Sequence, residues 1–200
     1  MTTMTPGAFF RDLFFETLRA PRTAARRLFA LDLPMQVRWL ALLLVSVLTL
    51  IAANIMLSTV PAAEVQPWEQ VWADAWTGLP IQVMSLTVFA FAIARIGALF
   101  GGRGGFADAL LAVTWIQGVL LVPQGIQILL FPVAPFLAGL IALGSVVLFF
   151  WLLSQFICAL HGFQNALTAF FGVLASLVVL VIVFAVVFAM LGILPAGLEG

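Results

Sequence analysis

Apolar residues neither alternate with polar ones nor keep to a narrow helical stripe; from position 39 they form long runs, broken by short clusters of Gly, Pro and charged residues. Runs of this length predict membrane-crossing helices rather than the amphipathic helices of a soluble core. The first, 39–60, reaches about 33 Å at 1.5 Å per residue, enough for a hydrocarbon layer of about 30 Å. The second covers 80–100, with Arg95 close enough to its end to snorkel to the interface. The third, 106–130, is ended by FPVAP (131–135), because two closely spaced prolines cannot continue a helix. The fourth, 136–160, closes on His161-Gly162, where glycine suits the left-handed cap. The fifth is 173–194, with Gln164, Asn165 and Thr168 ahead of it in the interface.

Two shorter segments are patterned differently. Phe10, Leu13, Phe14, Thr17 and Leu18 fall on one face of a helix whose other side carries Arg11, Asp12, Glu16 and Arg19, and Pro21 ends it. This predicts a short amphipathic helix on the inner leaflet. Behind it, PRTAARRLFAL (21–31) offers Arg22, Arg26 and Arg27 to anionic headgroups, at about 1 kcal/mol each. Trp68, Trp72 and Trp76 recur every four residues between the first two spans, as an amphipathic segment at the headgroups would place them.

Charge then orients the chain. Six of the eight basic residues, all arginines, precede the first span, whereas the loop 61–79 holds Glu64, Glu69 and Asp74 and no arginine. Positive residues stay inside, so the N-terminus is expected in the cytoplasm, and five crossings put the C-terminus outside. The first run is too long for a cleavable signal, so VPAA (60–63) is read as part of an uncleaved anchor. Charged residues are 8% of the chain and hydrophobic ones 64%, which confirms the membrane class. The expected fold is an all-α polytopic membrane bundle: a cytoplasmic amphipathic arm (1–38) followed by a five-span domain (39–200).

Candidate chemistry is sparse. One cysteine, Cys158, excludes an intramolecular disulfide, one histidine excludes paired-histidine metal motifs, and the absence of lysine excludes lysine chemistry. GGRGGFADALL (101–111) fits the glycine spacing of a dinucleotide-binding loop. It follows a membrane span instead of a strand, and no acidic residue for a ribose follows Asp108 before Glu199. It reads as a hairpin: Gly101 and Gly102 cap the second span, Arg103 marks the cytoplasmic side, and Asp108 meets the positive end of the third helix. Gly97 and Gly101, with Ala90, Ala94 and Ala98, make a small-residue face for close helix packing. No nucleotide, nucleic acid, cofactor or metal is expected, and no catalytic residue.

Two polar groupings remain. Arg95, Arg103, Asp108 and His161 should gather at the cytoplasmic boundary as a polar cluster with a salt bridge. Thr114, Gln117, Gln124 and Gln127 share one broad face of the third span beside Pro123, which frees a carbonyl; they either bond to neighbouring helices or line a transport path.

The layout resembles the Yip family, named for Ypt/Rab-interacting proteins, in its bacterial members. The resemblance rests on PRTAARRLFALDLP (21–34), GGFADALLAVTWIQGVLLVPQ (104–124) and WLLSQFICALHGFQNALTAFFGVL (151–174). It implies a five-span bundle in a bacterial inner membrane, with a cytoplasmic N-terminus and hence a periplasmic C-terminus. Eukaryotic members associate with prenylated Rab-type GTPases and carry Asp-Leu-Tyr-Gly-Pro and Gly-Tyr motifs; a chain without tyrosine has neither, so Rab binding does not carry over. The expected function is non-enzymatic: organising anionic lipids or partner membrane proteins, including further copies of itself. The alternative is a small transporter or channel using the glutamine stripe.

Overall fold

The computed structural model describes residues 5–61, 65–164 and 166–190. All regular elements among them are α-helices: α1 Pro6–Arg19, α2 Pro21–Phe29, α3 Met35–Ser58, α4 Pro67–Ala73, α5 Gly78–Leu99, α6 Phe106–Leu130, α7 Pro135–His161 and α8 Ala166–Met190. Proline opens α1, α2, α4 and α7, where its fixed φ suits the first turn and its missing N–H costs no helical bond. Five helices are long and apolar enough to cross a bilayer: α3, α5, α6, α7 and the 170–187 part of α8.

Some boundaries differ from the sequence reading, for physical reasons. α3 starts at Met35 and carries Arg38 inside its first turns, because that charge is paired and does not have to remain outside the bundle. Helix α8 runs without a break from Ala166 to Met190, so Thr168 lies in the same helix as the fifth candidate span, 170–187. Residues 191–194 of the expected fifth span, Asn165, and Ala62, Ala63 and Glu64 lie outside the described residues. α4 carries Trp68 and Trp72 but stops before Trp76, whose backbone N–H donates to Asp74 Oδ1 at 2.8 Å in a turn.

α6 is the central helix. In its most apolar window 44% of residues are buried, against 28% or less in the other four candidate spans. It packs on α3, α5 and α7, while α8 leans on α5 and α7. The small-residue face of α5 is used within the chain, with Ala90, Ala94 and Gly97 all buried. The outer faces of α3 and α7 leave Leu40, Leu44, Leu143 and Val147 exposed, as lipid-facing positions should be.

The arm is not a detached surface helix. Leu13, Ala24, Ala25 and Leu28 belong to the same buried cluster as Leu110, Ile116 and Phe156 of the spans. α2 lies on α7, and α1 lies on α2. Trp115 Nε1 donates to Thr17 Oγ1 at 3.0 Å, and Thr17 Oγ1 donates to the Leu13 carbonyl at 2.7 Å, so the arm's polar seam is satisfied internally. Much of the apolar face expected to meet lipid meets protein.

Candidate functional site

The arginine-rich end of the bundle holds most of the polar chemistry, in three separate groups. The first is an ion pair. Arg38, on the first turns of α3, is almost wholly buried; its Nε donates to the Leu33 carbonyl at 2.7 Å and its Nη1 to Asp108 Oδ1 at 2.6 Å. Asp108 sits in the first turn of α6, where the helix dipole also favours its charge. The pair ties α3 to α6. Its buried arginine would be costly without the carboxylate.

The second group surrounds His161. α5 ends with Gly101 at φ +82° and a Gly102 N–H to Gly97 carbonyl bond of 2.9 Å; α7 ends with Gly162 at φ +75° and a Phe163 N–H to Cys158 carbonyl bond of 3.1 Å. Both are glycine caps in the left-handed region. They bring the last turn of α7 against the hairpin, and the imidazole is buried there. A Cβ on Gly97 or Gly102 would collide with the ring, and one on Gly104 with Leu160. The Gly104 N–H donates to His161 Nδ1 at 3.2 Å, which makes Nδ1 the acceptor and puts the neutral ring's proton on Nε2. Nε2 faces the α5 backbone near Ile93 without a well-formed hydrogen bond, and the Phe163 ring stacks on the imidazole at 5.3 Å. Gly102 and Gly104 of the hairpin therefore pack against the histidine.

The four residues expected to cluster at this boundary do not form one site. Asp108 pairs with Arg38, His161 bonds to the hairpin backbone, Arg95 is exposed with its guanidinium 5.0 Å from the Phe91 ring, and Arg103 is exposed. Among the described residues no ion pair or hydrogen bond joins Asp108 to His161. The two side chains have different partners and are not paired with each other. The salt bridge exists, but its cation is Arg38, which the sequence reading placed in the arm.

The third group is in the arm. Arg22 turns inward, with Nε donating to Gln155 Oε1 at 2.6 Å and Nη2 to Cys158 Sγ at 3.4 Å. Arg27 pairs with Glu16 at 2.9 Å and lies over the Phe9 ring at 4.7 Å. Of the three arginines assigned to headgroups, only Arg26 is exposed; Arg22 and Arg27 fasten the arm. Arg11 and Arg19 are exposed beside it.

The expected stripe of α6 is divided among four surroundings. Gln117 Nε2 donates to Thr49 of α3 at 3.4 Å, and Gln127 Nε2 donates to Ser145 of α7 at 3.3 Å. Gln124 borders an outer cavity of about 490 Å³ together with Trp68, Glu69 and Trp72. Thr114 is buried with its hydroxyl unpartnered, beside an apolar groove of about 560 Å³ between α1, α3 and α6. Sequence reasoning missed Arg38, Gln155 and this groove. Arg38 could have been suspected as the one charge adjoining the first apolar run; the groove had no local signal.

No curated protein and no solved structure matches the chain. The family model of the Yip1 domain matches residues 15–188, thus all five candidate spans and the arm from the middle of α1 onward. This multi-pass membrane protein belongs to the Yip1 domain family.

Proposed function

We propose that the protein is a non-enzymatic organiser of anionic lipid at the cytoplasmic leaflet of a bacterial inner membrane. The observation that carries this reading is the division of labour among the arm's arginines. Arg22 ties α2 to α7 and Arg27 ties α2 to α1, while Arg11, Arg19 and Arg26 of the same two helices remain exposed. A basic surface fixed to a membrane-spanning body attracts anionic headgroups at about 1 kcal/mol per residue without ordering a loose tail. The positive-inside distribution supports the N-terminus in the cytoplasm.

Transport through the α6 stripe would require its side chains to line one path. Gln117 and Gln127 are instead engaged with two different helices, which weighs against that alternative. Self-association through the small-residue face of α5 is likewise disfavoured by the burial of Ala90, Ala94 and Gly97 within the chain, which leaves only Ala98 and Gly101 of that face exposed.

The test is reconstitution in vesicles of mixed phosphatidylglycerol and phosphatidylcholine, with lipid enrichment around the protein read by spin-labelled lipids. Wild-type protein should enrich phosphatidylglycerol, and the combined Arg11→Gln, Arg19→Gln and Arg26→Gln variant should lose most of that preference. Equal enrichment by the two proteins would overturn the reading. Reporter fusions at each terminus check the orientation.

A further inference from the structure

The groove between α1, α3 and α6 is built from Val37, Leu44 and Leu48 on one side and Leu111, Thr114 and Leu121 on the other. Along α3 it extends from Val37 to Leu48, about 16 Å at the helical rise, and along α6 from Leu111 to Leu121, about 15 Å. One leaflet of hydrocarbon is about 15 Å deep, half the thickness of the core. The groove thus spans one leaflet and starts at the arginine-rich end. A partner helix crossing the membrane would need a face about twice as long. Beyond Leu48, residues Ala53, Met56 and Leu57 of α3 border a different cavity.

Two polar features interrupt the apolar lining. Arg11, from α1, has a side chain 69% exposed and only a loose 3.5 Å contact with Asp12. Exposed pairs of this kind contribute little, so a phosphate can displace the carboxylate. Thr114, only 3% exposed, lines the groove and has no partner for its hydroxyl. A buried hydroxyl without an acceptor is a costly arrangement to keep.

We propose that this groove holds one acyl chain of an anionic phospholipid, with its phosphate at Arg11 and an ester carbonyl as the missing acceptor for Thr114. The inference rests on the lipid reading above and deepens it, from a general headgroup attraction to one bound molecule. Length match selects an acyl chain over a helix, and the Arg11 cation in the groove's lining selects an anionic headgroup over a zwitterionic one.

Native mass spectrometry of the full-length protein, exchanged in detergent with palmitoyl-oleoyl phosphatidylglycerol or phosphatidylcholine, tests the proposal. Wild-type protein should retain one phosphatidylglycerol per chain. Gly118→Leu should lower retention by about tenfold: a Cβ there meets only Val45 Cγ2 at 3.7 Å, so the added side chain can extend into the groove. Thr114→Val, which keeps the shape and removes the O–H, should lower retention by about threefold. Arg11→Gln should weaken phosphatidylglycerol retention and leave phosphatidylcholine unchanged. Retention at the wild-type level by both Gly118→Leu and Thr114→Val, each still unfolding cooperatively, would overturn the groove site. Persistent phosphatidylglycerol enrichment in vesicles would then leave the surface reading standing, whereas loss of that enrichment as well would remove both.

Discussion

The two halves of α6 are similarly apolar but live in different surroundings. From Ala109 to Val119 eight residues of the helix are buried, including Leu110, Thr114 and Ile116, whereas none of those beyond Val119 is. The first half is enclosed by α3, α5, α7 and the arm, and its ends are tied by Arg38–Asp108 and Trp115–Thr17. The second half contains Pro123, makes one amide contact of 3.3 Å from Gln127 to α7, and borders an open cavity at Gln124. Within a membrane, burial adds no hydrophobic gain over lipid, so tight packing and satisfied polar groups separate the two halves.

The sharpest way to break this contrast is at the ion pair. Asp108→Ala strands the buried Arg38 charge and should lower stability by about 2–3 kcal/mol, somewhat less than for a fully buried pair because Asp108 is partly exposed. Equilibrium unfolding in mixed dodecylmaltoside and dodecyl sulfate reads it. Adding Arg38→Met to an Asp108→Leu variant should recover most of the loss; an unrecovered double variant would mean that the pair is not the cause.

Next in size is the histidine cage. Gly97→Ala forces a methyl into the imidazole and should cost about 2 kcal/mol, whereas Gly144→Ala, with open space around its Cβ, should cost nothing. Matching melting temperatures for the two variants would show that the cage is loose. Opposite in sign is Thr114→Val, which removes an unpartnered buried hydroxyl and should stabilise delipidated protein by about 1 kcal/mol. Adding phosphatidylglycerol should narrow that gain, since the wild-type hydroxyl then finds its acceptor. Smallest is Gln127→Leu in the open half, expected to change stability by less than about 0.6 kcal/mol. A larger loss in the same unfolding assay would place the structural weight of α6 at the wrong end.

Much of the fold was legible because its signals are local. Long apolar runs, the FPVAP break and the two glycine caps each act within a few residues, and five crossing helices follow from them. The site was less legible because its pairings join residues far apart in sequence. Asp108 was recognised as the start of a helix, but nothing within α6 indicates that its partner is seventy residues earlier, at Arg38. The arm's arginines looked alike in a row, and only their positions around α2 send Arg22 to Gln155 and Arg26 to solvent. Gly101 and Gly102 were assigned to turn formation and Gly97 to helix packing; Gly97 and Gly102 are also small because an imidazole occupies the space.

By itself the sequence determined that the chain belongs in a membrane, how many helices can cross it and where most of them turn. Those outcomes depend on transfer free energy and backbone chemistry, which each segment carries alone. Only the tertiary structure decided which charges face each other, which polar groups remain unpaired, and that the arm, α3 and α6 leave between them a groove one leaflet deep. Such features depend on the relative placement of several helices, set by close packing between them rather than by the pattern of any one.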